Sequence, residues 1–107
     1  MNSLSTHILD ISSGKPAQGV TVSLLLGEQT VASGVTDTNG RIGAFSSSLT
    51  PGHYRLVAQT GEWFAQRGVA TLFPCAQIDF VIAETAEEHF HLPFLIAPGG
   101  WSTYRGS

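Results

Sequence analysis

Residues Val20–Leu26, which read VTVSLLL, decide the fold of this 107-residue chain. Apolar side chains occupy every second position from Val20 onward, with Thr21 and Ser23 between them. Because successive side chains of a β-strand point to opposite faces, this alternation predicts a strand with one face in the core. Residues 54–58, with Tyr, Leu and Ala at alternate positions, predict a second strand of the same kind.

Turn-forming sequences interrupt the chain at short intervals. They are Ser13–Pro16, Leu26–Glu28, Asp37–Gly40, Thr50–Gly52 and Pro98–Gly100. This spacing is typical of an all-β sandwich or barrel. Asn39-Gly40 suits the positive φ angles of a tight hairpin, so a strand ending near Thr36 is expected to turn back and Arg41 to open the next strand.

One segment, Gly61–Gly68, lacks alternation and has room for about two helical turns, so it predicts a single short helix. Strands are expected to resume at Leu72-Phe73 and Ile78–Ile82, on either side of Pro74. His89–Leu92 is expected to be the last strand but one. Residues 1–107 are therefore interpreted as one domain, because a chain of this length has a modest core of its own.

The content of charged residues indicates which kinds of partner the protein can bind. Charged residues make up 12% of the chain, about half of the roughly 25% that is usual for soluble domains. This low fraction predicts that part of the surface is covered in an oligomer. The net charge of −3 and the scattered basic residues exclude a phosphate-binding stripe, so no nucleic-acid partner is expected.

No signal peptide or membrane-spanning stretch is predicted. The single cysteine, Cys75, cannot form an intrachain disulfide, which suits a reducing compartment. We therefore expect a cytoplasmic location and no membrane partner.

Three histidines are candidates for chemistry before any family is considered. On a strand, His89 and His91 share one face, and Phe90 and Leu92 share the other. Two interpretations stay open: with His7 the pair could bind zinc, or one histidine could act as an acid or base. His7 itself interrupts mostly apolar neighbours in the strand-like run Leu4–Asp10. The alternative for His7 is a histidine at the edge of the core that is bonded only to backbone.

Arg41 and the terminal segment Tyr104–Ser107 complete the set. The guanidinium of Arg41 could hold a planar anion through two hydrogen bonds, or it could be an ordinary solvated surface group. The terminal segment carries large side chains without a polar spacer, so we expect it to be docked. Ser107 lacks the G-x-S-x-G sequence of an acyl nucleophile, and its hydroxyl would rather orient a water molecule or a histidine.

These motifs together resemble those of the 5-hydroxyisourate hydrolases, the transthyretin-related enzymes of urate breakdown. The resemblance spans Leu4 to Ser107 and rests on four stretches of sequence. They are Leu4–Asp10 with Gly14–Ala17, Thr38–Arg41, His89–Pro93 and Ser102–Ser107.

The resemblance implies a transthyretin-like sandwich of about eight strands in two sheets, with one short helix. It also implies a homotetramer, a dimer of dimers, whose central channel holds the active sites. His7, Arg41, His91 and Ser107 would be catalytic, and His7, Arg41, Tyr104, Arg105 and Gly106 would contact the substrate. The substrate would be 5-hydroxyisourate, a small molecule opened by water at a ring amide to 2-oxo-4-hydroxy-4-carboxy-5-ureidoimidazoline. No metal or other cofactor is implied.

Two alternatives remain at this point. Sandwich domains without enzymatic activity share the Gly-Lys-Pro, Thr-Asp-Thr-Asn-Gly and Pro-Gly-x-Tyr patterns, because these patterns encode fold and not function. The second alternative is a protein that binds zinc through its histidines. The sequence leaves open which histidine would activate water and what His89 does.

Overall fold

The computed structural model describes residues 2–106, with only the backbone described at Ala44 and Ser47. Its strands are β1 (Asn2–Asp10), β2 (Lys15–Pro16), β3 (Thr21–Leu26), β4 (Gln29–Val35), β5 (Arg41–Leu49), β6 (Gly52–Ala58), β7 (Ala76–Ile82), β8 (His89–His91), β9 (Phe94–Ala97) and β10 (Gly100–Thr103). Helix α1 spans Thr60–Gln66. The predicted all-β fold with a short helix in the Gly61 region is confirmed.

The strands form two sheets. One sheet has the order β4-β3-β6-β7, and the other is built around β1, which pairs with β2, β5, β8 and β9. The alternation of Val20–Leu26 has the expected result, because Val20, Val22 and Leu24 are fully buried. Tyr54, Leu56 and Ala58 join the same core, so both sheets share one apolar interior.

The turn at Asn39-Gly40 was expected to close a hairpin, and this is wrong. β4 lies in one sheet and β5 in the other, so the turn carries the chain between sheets. The Gly40 carbonyl accepts a 2.7 Å hydrogen bond from the Ile8 amide, and Gly40 has a φ of 74°. A side chain at Gly40 would collide with the Ile8 carbonyl. This close approach to β1, rather than pairing with β4, sets the start of β5 at Arg41.

Leu72-Phe73 does not form the predicted strand. The Leu72 side chain is 83% exposed, and the segment is a loop beside the start of α1. The Gly61 amide donates a 3.1 Å hydrogen bond to the Pro74 carbonyl. Pro74 has no amide hydrogen to donate to a neighbouring strand, and its carbonyl is bonded to the helix. The loop therefore does not extend a sheet. The strand predicted at Ile78–Ile82 is confirmed within β7.

The position of the His89 strand also needs correction. β8 is followed by two strands, β9 and β10, and not by one. Pro93 separates β8 from β9, since proline cannot donate to the ladder along β1. The turn at Pro98-Gly99 then separates β9 from β10.

Candidate active site

Strand β1 supplies the frame of the site through its period of two. Leu4, Thr6 and Ile8 are at most 1% exposed and face the core. Ser3, Ser5 and His7 alternate with them and therefore face the other side of the sheet. The first strand thus buries one row of side chains and presents a polar row.

Strand β8 lies along one edge of β1 and runs parallel to it. In this ladder Ser3 is paired with His89, and Ser5 is paired with His91. Phe90 is 8% exposed and belongs to the core, which confirms the prediction that the two histidines lie on the opposite face. The register therefore places both imidazoles beside the polar row of β1.

Strand β5 lies along the other edge of β1 and runs antiparallel to it. His7 and Arg41 are directly paired, so their side chains leave the same face of the sheet. A shallow depression of about 260 Å³ opens on this face. Its lining consists of Ser5, Thr6, Arg41, Gly43, His89 and His91.

Two serines that the sequence analysis did not single out connect the histidines. Ser5 Oγ lies 2.8 Å from His89 Nε2 and 2.7 Å from His91 Nδ1. Ser3 Oγ lies 2.6 Å from His89 Nδ1. The signal that could have found them is the shared spacing of two, since Ser3 and Ser5 flank Leu4 just as His89 and His91 flank Phe90.

The surroundings of His91 disfavour the charged form of its imidazole. Its partial burial lowers its pKa, and the positive charge of Arg41 and then the neighbouring His7 and His89 lower the pKa further. An ordinary histidine pKa is about 6.5. His91 is therefore largely neutral at pH 7, the form in which a ring nitrogen can accept a proton.

Replacing Arg41 with glutamine is expected to raise the pKa of His91 in the free protein. The change removes a positive charge that disfavours the imidazolium, whereas Arg41→Lys keeps that charge and should leave the pKa nearly unchanged. An NMR titration of the His91 ring measures both variants. An unchanged pKa in Arg41→Gln would show that the guanidinium does not act on this imidazole.

The terminal segment is docked as far as the structure describes it. The Gly106 amide donates a 2.8 Å hydrogen bond to the His91 carbonyl. Arg105 forms an ion pair with Glu88 and lies over the Phe90 ring, with its guanidinium carbon 4.8 Å from the ring centre. The Tyr104 side chain is 55% exposed. Ser107, a predicted catalytic residue, lies outside the described residues.

A three-histidine zinc site is not what this geometry favours. Within residues 2–106, no three His, Cys, Asp or Glu side chains are grouped as ligands of a metal ion. Both ring nitrogens of His89, and Nδ1 of His91, lie instead at hydrogen-bond distance from serine hydroxyls.

In the part of the chain that is described, no helix is long and apolar enough to cross a bilayer.

The fold and the site define a class of protein: a two-sheet sandwich whose polar sheet face combines a largely neutral imidazole, a second imidazole and a guanidinium. Such a set is suited to activating water against a small polar molecule. The chain belongs to the HIUase/Transthyretin family, whose model matches residues 4–106.

Individual relatives agree with this assignment. The solved structure of Klebsiella pneumoniae 5-hydroxyisourate hydrolase is 62% identical, with a TM-score of 0.94 and complete coverage of both chains. The 5-hydroxyisourate hydrolase of Salmonella dublin is 43% identical, over 99% of this chain and 82% of its own. Sea bream transthyretin in complex with thyroxine has a TM-score of 0.88 over 97% of this chain and 94% of its own, but at 24% identity it shows the fold alone. The predicted transthyretin-like fold is confirmed.

Proposed function

We propose that this chain is a 5-hydroxyisourate hydrolase, which opens the substrate to 2-oxo-4-hydroxy-4-carboxy-5-ureidoimidazoline in urate breakdown. The observation that carries the proposal is that strand pairing brings His7, Arg41 and His91 to one face of the sheet. Relatives that cover nearly the whole chain bear the name of this activity. A binding module without activity is not favoured, because it gives no account of this cluster.

His91 is the proposed general base. Its Nδ1 lies beside Ser5, which leaves Nε2 to accept a proton from water. The water oxygen then bonds to the ring carbonyl carbon, the bond from that carbon to the ring nitrogen breaks, and the nitrogen takes up a proton. The carbonyl carbon becomes the carboxylate of the product. General-base assistance of this kind typically contributes about 10² to 10⁴ in rate.

The remaining residues of the proposed site bind and orient. Arg41 contacts the substrate oxygens and the negative charge that develops on them, a contribution of about 3 to 4 kcal/mol for a well-placed donor. His7, paired with Arg41 on the sheet, orients the water or protonates the departing nitrogen. Tyr104, Arg105 and Gly106 are proposed to border the ring pocket, and Ser107 to orient the water. No metal or other cofactor is part of the proposal.

One assay tests the function directly. The unstable product of urate oxidation is generated in solution, and its ultraviolet decay is followed with and without the purified chain. We expect a decay rate that rises in proportion to the concentration of the chain. Decay at the spontaneous rate would contradict the proposed function.

We also propose that the chain forms a homotetramer in the cytoplasm. The low charged fraction and the exposed apolar side chains support an assembly that covers part of this surface. These exposed side chains include Ile11, Val31, Val35, Val69, Leu72 and Val81. Light scattering should give four times the mass of the chain, and the mass of a monomer would contradict the tetramer.

A further inference from the structure

His89 and Ser3 have no part in the hydrolytic step described above, yet together with Ser5 they form a continuous chain that ends at His91. The successive contacts run from Ser3 Oγ to His89 Nδ1, from His89 Nε2 to Ser5 Oγ, and from Ser5 Oγ to His91 Nδ1, all between 2.6 and 2.8 Å. Ser5 is 8% exposed, whereas His89 is exposed. The chain therefore leads from the half-buried His91 to solvent.

The number of protons limits how this chain can be arranged. A serine hydroxyl donates one hydrogen bond, and a neutral imidazole has one nitrogen that donates and one that accepts. If His91 Nδ1 donates to Ser5, then Ser5 donates to His89 Nε2 and His89 Nδ1 donates to Ser3. If every bond is reversed, Ser5 donates to His91 Nδ1 and the proton of His91 resides on Nε2. Only the first arrangement presents Nε2 of His91 as a base.

We infer that Ser5, supported by His89 and Ser3, is a positioning residue that holds His91 in the tautomer with its proton on Nδ1 and relays charge between His91 and His89. The inference deepens the proposed function and rests on it. The register supports this role, because Ser5 is paired with His91 and Ser3 with His89 along the whole length of β8. The arrangement thus follows from strand pairing and does not depend on a loop.

The relay is balanced in protons. When Nε2 of His91 takes a proton from water, its Nδ1 proton moves to Ser5, and the hydroxyl proton of Ser5 moves to Nε2 of His89. His91 then returns to a neutral form, and the positive charge resides on His89. Because His89 is exposed, this charge is better hydrated there than on His91 beside Arg41. If His91 rather than His7 gives the proton to the departing ring nitrogen, the same steps run in reverse.

The tautomer of His91 can be measured without any substrate. Nitrogen-15 NMR of the imidazoles distinguishes a protonated Nδ1 from a protonated Nε2. In the wild-type chain we expect the Nδ1 proton on His91. In Ser5→Ala we expect that preference to be lost, and in Ser5→Thr, which keeps the hydroxyl, we expect it to be retained.

Kinetics on the same variants give the second measurement. Ser5→Ala should lower kcat by about tenfold to a hundredfold with KM nearly unchanged, by analogy with the loss seen when the hydrogen-bond partner of a metal-ligating histidine is removed. Ser5→Thr should recover most of this loss. His89→Phe keeps an exposed ring but removes both nitrogens, and it should also lower kcat. Ser33→Ala, on an exposed position of the other sheet, is the matched control and should behave as wild type.

The two readouts separate failure of this inference from failure of the proposed function. If the wild-type chain fails to hydrolyse 5-hydroxyisourate, the proposed function is wrong, while the spectra still report whether Ser5 sets the tautomer. The inference is overturned if Ser5→Ala leaves the His91 tautomer unchanged, or if His89→Phe has the kcat of wild type. Because His89 is exposed, the second outcome does not depend on the stability of a buried substitution.

Discussion

His91→Ala is expected to reduce kcat for 5-hydroxyisourate by about 10² to 10⁴, the contribution typical of a general base. The substitution removes an imidazole whose pKa is lowered by burial and by the nearby positive charge of Arg41. His91 lies at the end of the short edge strand β8. The core contacts of this part of the chain come from Phe90 and Leu92, so the fold should persist. Steady-state rates with in situ generated substrate measure the loss, and circular dichroism checks the fold.

His7→Ala is expected to lose most turnover as well, since His7 lies directly across from Arg41. His53→Ala is the matched control: this imidazole is exposed on β6, in the other sheet, and its loss should leave kcat unchanged. Normal hydrolysis by His91→Ala or His7→Ala would remove that residue from the mechanism. Equal losses in all three variants would mean that the effect is not specific to the site.

Gly106→Ala is expected to have an effect of similar size from a single methyl group. A Cβ atom built on Gly106 would lie 2.5 Å from Cδ2 of the His91 ring and 3.3 Å from its Cγ. Carbon atoms do not approach so closely, so either the terminal segment must leave or the imidazole must turn. A displacement of about 1 Å in a catalytic group can cost roughly a hundredfold in rate, and we expect kcat to fall by this amount.

The control for this prediction is Gly99→Ala, because a Cβ atom on Gly99 meets no neighbour within 4 Å. Gly99 lies in the exposed turn between β9 and β10 and has no positive φ. Both variants should unfold near the wild-type temperature, and only Gly106→Ala should lose activity. If Gly106→Ala is fully active, the packing of the terminal segment on His91 has no catalytic importance.

The alternation of apolar and polar residues along each strand is sufficient to predict much of the fold. Val20–Leu26 and Tyr54–Ala58 are buried in the alternating way that their sequences indicate, because each strand has one face against a shared core. The hairpin predicted at Asn39-Gly40 is wrong, because the structure there depends on a contact with a distant part of the chain. Gly40 fits against the Ile8 carbonyl, a contact between segments more than thirty residues apart, and this contact sends β5 to the other sheet.

Local sequence patterns predict only part of the site, as they predict only part of the fold. The period of two placed His89 and His91 on one face, which the burial of Phe90 confirms. The partners of these histidines depend on strand register, which a single sequence does not specify for strands more than eighty residues apart. Ser3 and Ser5 were therefore overlooked, although their spacing matches that of the histidines. The serines gain a role only when β8 is aligned with β1.

The face formed by β1, β5 and β8 is proposed both to bind and to hydrolyse the purine-like ring. Titration of the chain with urate, a stable planar analogue, tests this assignment through the ring signals of the four histidines, with His53 as an internal reference. The signals of His7 and His91 are expected to shift in a saturable way, while that of His53 stays in place. Saturable shifts of His53 alone, with His7 and His91 unchanged, would contradict the assignment and place the ring on the other sheet.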